Sequence, residues 1–245
     1  MAIRHSKPPT AATRDSTPAA APGTGGAPGE RATQFVQVPF VPRIRQRRWF
    51  KRSVRGEFTQ SLLVLAQSIR QTARERRLST ILVASASAGD GRTTVAANLA
   101  LALAATPAWV ALVDADGRAT GLSALFNAQQ ATPSATQPAP SGFRSVGVDD
   151  MPGLTLVLPE APLNAQTSLE QIRPLLTSLD PFVEFVVIDS PPCLRSATGF
   201  LLSNCVDAVL YVVRRRQQDV DAQRRIQQQF RQLGAYELGV IFNDA

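Results

Sequence analysis

The sequence predicts an α/β protein built on a doubly wound, mostly parallel sheet. Three observations lead there. Short runs of Val, Ile, Leu and Ala recur along the chain, apolar nearly throughout, as strands buried on both faces are. Helical periodicities fall between these runs, as the crossovers of a parallel sheet require. A hydrophobic content of 44% over 245 residues supplies a core of the needed size.

Residues 1–42 are dominated by Pro, Ala, Gly, Thr and Ser. A stretch so poor in large apolar side chains cannot offset its ordering entropy, so a disordered tail is expected there. A basic linker, 43–56, follows, in which seven Lys and Arg residues surround Trp49 and Phe50. A solvated linker, a patch for an anionic membrane surface or an acidic partner, and nucleic-acid contact all fit it, nucleic acid least well. The net charge of +7 is +11 within residues 1–80 and −4 over 81–245. The basic character therefore belongs to the N-terminal third rather than to the domain expected over 57–245.

From Glu57 to about Arg77, Phe58, Leu62, Leu65 and Ile69 form one apolar stripe at helical spacing. Thr80–Ala84 reads as the first core strand, Thr93–Ala104 as a helix and Trp109–Val113 as the second strand. A flexible surface insertion is expected at about 127–145. Then come a strand at Leu154–Leu158, a helix at Ser168–Leu179, strands at Phe182–Ile188 and Ala208–Val213, a Gln-rich helix at Gln218–Leu233 and a strand at Leu238–Phe242. The apolar window from Val95 to Val113 is long enough to span a bilayer. Pro107 breaks it, however, and Asp114 and Asp116 close it, so it reads as buried helix, turn and strand. Two cysteines make no disulfide framework, and a single histidine, His5, makes no histidine metal cluster. A cytoplasmic protein is expected.

The loop after the first core strand reads Ala86-Ser87-Ala88-Gly89-Asp90-Gly91-Arg92-Thr93-Thr94, directly before a helix. That context makes it a phosphate-binding loop. Gly89 and Gly91 let successive N–H groups turn inward, and the helix start adds its positive dipole end. Ala88, Gly89, Asp90, Gly91, Arg92, Thr93 and Thr94 are the expected nucleotide contacts. Thr93 would give its hydroxyl to Mg²⁺, and Arg92 occupies the slot of the usual lysine. Two further strands end in carboxylates, Val110–Asp116 in Asp114 and Asp116, and Phe185–Asp189 in Asp189. In a parallel sheet these ends share one edge with the loop. Asp114, Asp116 and Asp189 are thus the expected catalytic carboxylates, with Thr93, Asp114 and Asp189 toward the metal and ATP as the nucleotide.

Gly89-Asp-Gly-Arg-Thr-Thr94, Val113-Asp-Ala-Asp-Gly-Arg118 and Ile188-Asp-Ser-Pro-Pro192, in that order, resemble the bacterial tyrosine kinases of capsule and exopolysaccharide synthesis. Those kinases belong to the larger MinD/ParA-type group of deviant P-loop ATPases. The resemblance covers roughly 57–245. It implies Walker A at 86–94, a second Walker-type motif at 110–118, Walker B at 185–189, and an adenine contact from Asn243. Ser87 stands where partitioning ATPases carry a signature lysine, and Ala86 where the first glycine of the loop is usual. Thr198 stands where a further aspartate is usual. Gln60 and Leu63 replace both arginines of the family's ring-forming Glu-x-x-Arg-x-x-Arg helix. The only tyrosines are Tyr211 and Tyr236, without the kinases' terminal tyrosine cluster.

The resemblance implies an ATPase or kinase-like phosphotransferase that regulates exopolysaccharide or capsule synthesis, peripheral at the inner membrane. Its implied partner is a transmembrane polysaccharide co-polymerase-like adaptor or a synthase complex, with self-association through nucleotide. A MinD/ParA-type positioning or partitioning ATPase and a catalytically weak nucleotide-binding scaffold are the alternatives.

Overall fold

The computed structural model describes residues 35–38, 57–117, 121–128, 139–148, 151–166, 168–215 and 220–243. In chain order they form β1 (Phe35–Val38), α1 (Glu57–Arg76), β2 (Thr80–Ala84), α2 (Arg92–Ala104), β3 (Val110–Asp114) and α3 (Leu122–Leu125). Next come β4 (Phe143–Gly147), β5 (Leu154–Pro159), α4 (Ser168–Leu179), β6 (Phe185–Asp189), α5 (Thr198–Leu202), β7 (Ala208–Arg214), α6 (Val220–Gln232) and β8 (Glu237–Asn243). The strands lie side by side in the order β1-β8-β7-β2-β6-β3-β5-β4. Every pairing is parallel except β4 with β5.

Side-chain alternation divides the core between the two faces of this sheet. Ile81, Val83, Val110, Leu112, Leu210 and Val212 face one layer, which contains α1 and α2. Leu82, Ala84, Ala111, Val113, Val209 and Tyr211 face the other, with α4, α5 and α6. This two-sided covering is why the central strands carry no polar alternation. The stripe of α1 packs as its spacing predicts, with Leu62, Leu65 and Ile69 buried. Among the described residues no helix is long and apolar enough to cross a membrane.

Two stretches differ from expectation. β1 lies inside the segment expected to be a disordered tail. It joins the sheet edge through backbone pairing with β8, Phe35 opposite Val240 and Val38 opposite Asn243, which a tail poor in apolar clusters can still provide. The rest of residues 1–42 and the basic linker 43–56 lie outside the described residues. β4 lies at the end of the stretch expected to be an insertion at 127–145. There Phe143, Ser145 and Val146 are buried against β5 as an antiparallel edge strand, a short element that its polar surroundings mask in the sequence. β3 runs one residue later than expected at both ends, and β6 begins three residues later than expected and ends one later, so the two strands include Asp114 and Asp189 themselves.

The start of β2 is tied to the start of β7 by Asp207. Its Oδ2 accepts the Ser79 and Thr80 amides, both at 2.8 Å, and the Thr80 hydroxyl at 2.7 Å. Partial burial pulls the Asp207 pKa up, but these hydrogen bonds outweigh it and hold it below the usual carboxylate range.

α6 is fastened to its face through Phe230, fully buried, with ring centroids 4.7 Å from Phe200 and 5.6 Å from Tyr211. Phe230→Ala would leave a cavity between helix and sheet. A loss of about 3–5 kcal/mol in urea-unfolding free energy is expected, with a smaller loss for Phe230→Leu, which refills part of the cavity but not the ring contacts.

Candidate functional site

The parallel arrangement brings three strand ends to one place. Register sets Asp114 of β3 and Val83 of β2 on either side of Asp189. Residues 85–91 then leave β2 and deliver the chain to α2. The segment after β6 runs beside this loop and holds it. The Cys193 amide donates to the Ser85 carbonyl at 3.0 Å, and the Leu194 amide to that of Ala86 at 3.1 Å. The Ser190 hydroxyl donates to the Val83 carbonyl at 3.0 Å.

The loop closes on itself. Gly89 and Gly91 have φ of 91° and 89°, a left-handed backbone that glycine adopts without strain. Asp90 accepts the Ser87 amide on Oδ2 at 2.8 Å, so its carboxylate shapes the turn. Burial raises the Asp90 pKa, with the Ser87 amide, Arg92, Ser85 and Arg214 pulling the other way. Asn243 is buried, and its amide donates to the Asp90 carbonyl at 2.9 Å, bracing the loop from β8. A Cβ on Gly91 would lie 2.0 Å from Asn243 Nδ2, so the brace and the glycine fit only together. The residue expected at the adenine base is thus placed against the loop.

No side chain caps the N-terminus of α2 at Gly91. Its first-turn amides, from Arg92, Thr93 and Thr94, therefore have no acceptor within the helix, as an anion site requires. Ser87, Ala88 and Gly89 are exposed at its rim.

Arg92 is turned inward. Its Nε donates to Asp189 Oδ1 at 3.0 Å, Nη1 to Ser85 Oγ at 3.0 Å and Nη2 to Asp116 Oδ2 at 3.1 Å. The arginine side chain is 4% exposed, Asp189 1% and Asp116 7%. The residue in the phosphate-lysine slot thus spends its guanidinium fork on the two carboxylates that end β6 and follow β3. Beside them, Asp114 accepts the Asp116 and Gly117 amides on Oδ1 at 3.0 and 2.7 Å. Its pKa rises to about 6, through burial first and then the neighbouring Asp189 and Asp116 charges, against those amide bonds. Burial also raises Asp189, opposed by Arg92 and the Thr93 hydroxyl.

These residues suit a divalent cation. Three carboxylates face one guanidinium, so when ionised the cluster is short of positive charge. Asp189 Oδ2 is buried and has no hydrogen-bond partner among the described residues. Thr93 and Asp189 match an oxygen-seeking magnesium ion. One oxygen of Asp114 is already committed to backbone amides, which leaves it a lesser share.

The structure therefore brings together Asp114, Asp116, Asp189, Arg92 and Thr93, with Asp90, Gly91 and Asn243 forming the loop and its brace. Sequence reasoning missed Ser85 and Ser190. Their signal was position alone, each directly following a strand that ends at the site.

The sequence family that matches the chain is ParA, described as NUBPL iron-transfer P-loop NTPase, over residues 77–243. The chain is 25% identical over 171 residues to the tyrosine-protein kinase CpsD of Streptococcus agalactiae serotype III, covering 66% of this chain and 73% of that protein. In fold it is similar to the kinase domain of the Escherichia coli tyrosine kinase ETK, with a TM-score of 0.64 and 19% identity over 78% of each chain. It is also similar to the MinD cell division protein of Aquifex aeolicus, with a TM-score of 0.55 and 21% identity over 68% of this chain and 70% of that one. With its loop, strand-end carboxylates and sheet order in this arrangement, the chain belongs to the ParA family of P-loop NTPases.

Proposed function

We propose that this chain binds ATP with magnesium at the 86–94 loop and works as an ATPase or kinase-like phosphotransferase controlling exopolysaccharide or capsule synthesis at the inner membrane. The observation that carries the reading is the buried Arg92–Asp189–Asp116 cluster beside an uncapped helix start. Burying such a cluster costs stability, and a nucleotide site is a physical reason to keep it. Loop amides and the first turn of α2 bind the phosphates. Arg92 holds Asp116 and Asp189 in place. Thr93 and Asp189 would hold magnesium, which when bound offsets phosphate charge. Asp114, whose pKa is raised to about 6, is ionised at neutral pH with a basicity above that of an ordinary aspartate, and would accept the proton of an attacking nucleophile. The similarity to the tyrosine-protein kinase CpsD supports the kinase-like chemistry, and the motif resemblance to capsule kinases supports the polysaccharide setting with a transmembrane adaptor or synthase complex as partner.

Neither tyrosine within these residues is set up as an acceptor for self-phosphorylation. Tyr211 is fully buried in β7, its hydroxyl 3.3 Å from Glu237 Oε1. Tyr236 is half-buried, with the Arg76 guanidinium 4.5 Å above its ring. A second reading, a nucleotide-binding scaffold with weak catalysis, draws support from Arg92, whose fork is engaged away from the phosphates.

Incubation with labelled ATP and Mg²⁺ tests the proposal. Free phosphate, or label on an added partner, is expected, and Asp189→Asn should lower turnover at least tenfold with a smaller change in ATP affinity. Absence of ATP binding by the wild-type chain would remove the reading.

Arg92→Ala strands two buried carboxylates and should lower stability by about 3–5 kcal/mol, read by urea unfolding without nucleotide. Arg92→Lys, which keeps the charge but loses the fork, should recover part of that loss.

The basic stretch 43–55 is proposed to hold the domain at anionic lipid. Replacing its seven basic residues with serine should abolish co-sedimentation with phosphatidylserine vesicles and leave ATP binding intact, because each basic residue near such a surface contributes about 1 kcal/mol.

A further inference from the structure

Resting on the reading of 86–94 as a nucleotide site, we propose that Arg214 is the side-chain cation that meets the nucleotide phosphates there. Arg92, in the slot where that cation is expected, is not available for the task. All three of its guanidinium nitrogens are engaged, with Asp189, Ser85 and Asp116, in a side chain only 4% exposed. Turning it toward a ligand would leave two buried carboxylates without their counter-charge. The loop therefore has a fixed internal cation and needs a second one on its open side.

Arg214 is placed to be that cation. It ends β7, which lies directly beside β2, with Tyr211 opposite Ala84. Three residues further along, β7 has therefore reached the level of the loop that leaves β2. Alternation settles the face. Leu210 and Val212 pack in the layer that contains α2, so Arg214 belongs to the same face as the helix that the loop opens. Its register partner on β8 is Asn243, the residue that braces the loop through the Asp90 carbonyl.

The distances agree with this placement. A Cβ built on Gly89 would lie 3.9 Å from Arg214 Nη1, an ordinary contact distance. Gly89 is exposed at the rim, and Arg214 is only partly buried, so the guanidinium borders the surface open to a ligand. Its charge also reaches the loop interior, where it pulls on Asp90. A guanidinium offers paired N–H groups that match phosphate oxygens. The two arginines thereby divide the work of one lysine, Arg92 pairing with the carboxylates and Arg214 with the ligand.

The test is titration of the full-length chain with ATP and with inorganic tripolyphosphate, both with Mg²⁺, for wild type, Arg214→Ala, Arg214→Gln and the neighbouring Arg215→Ala. Loss of a charge-assisted hydrogen bond weakens binding by about 10- to 100-fold. That loss is expected for both ligands in Arg214→Ala and Arg214→Gln, while Arg215→Ala, an equal change of net charge, binds as wild type. Melting curves show whether each variant is folded, and Arg214→Gln retains hydrogen-bonding groups should the alanine variant be damaged. Wild-type affinity in a folded Arg214 variant would overturn the inference and leave the nucleotide site standing. Weakening toward ATP but not tripolyphosphate would also overturn it, because the contact would then be to the nucleoside. If the wild-type chain binds neither ligand, the nucleotide reading fails first and this assignment with it.

Discussion

The buried ion cluster around Arg92 is the constraint on which the rest of the site depends. A guanidinium removed from water is tolerable only with its donors paired, and here the partners come from three separate stretches: Ser85, Asp116 and Asp189. Each stretch follows or ends a different strand. The cluster therefore forms only when β2, β3 and β6 are in register, and it couples their ends to the first turn of α2. Asp114 is buried in the same crowded place and is bonded by backbone amides rather than by the guanidinium, so its carboxyl is raised above the usual aspartate range.

Parallel topology makes this convergence possible. In an antiparallel meander, neighbouring strand ends would alternate between the two edges, and Asp114 and Asp189 would lie at opposite ends of the sheet. With both strands running the same way they stand directly opposite each other, and the loop from β2 rises beside them. The extended segment after Asp189 adds the Ser190, Cys193 and Leu194 contacts to the backbone of residues 83–86. Loop shape is thus maintained by main-chain bonding from a neighbouring segment, in addition to the two glycines.

Much of this was legible in the sequence because the signals were strong and local. β2 has the bounds that its apolar run implied, and α4 those that its periodicity implied. The phosphate loop was recognisable because a strand, two glycines and a helix follow one another within a few residues. What was not legible depends on distant partners. Phe35–Val38 carries strand-favouring side chains, but four residues beyond a Pro- and Ala-rich tail do not by themselves fix a strand, and β1 is in the sheet through its pairing with β8. The direction of the Arg92 side chain could not be read from its place in the motif, because it is set by carboxylates 24 and 97 residues away. The hydrogen bond from Asn243 to the Asp90 carbonyl was beyond sequence reading for the same reason, since its two ends lie 153 residues apart.

β8 lies between the edge strand and the phosphate loop, and both attachments fall on one residue. Asn243 pairs in register with Val38 through its backbone and reaches the Asp90 carbonyl with its side chain. Peeling β1 away would bare the outer hydrogen-bonding row of β8 at the very position from which the loop is braced. The edge strand and the loop that opens α2 thus share a single fixed point, and whatever displaces Asn243 from its ladder position is felt at both.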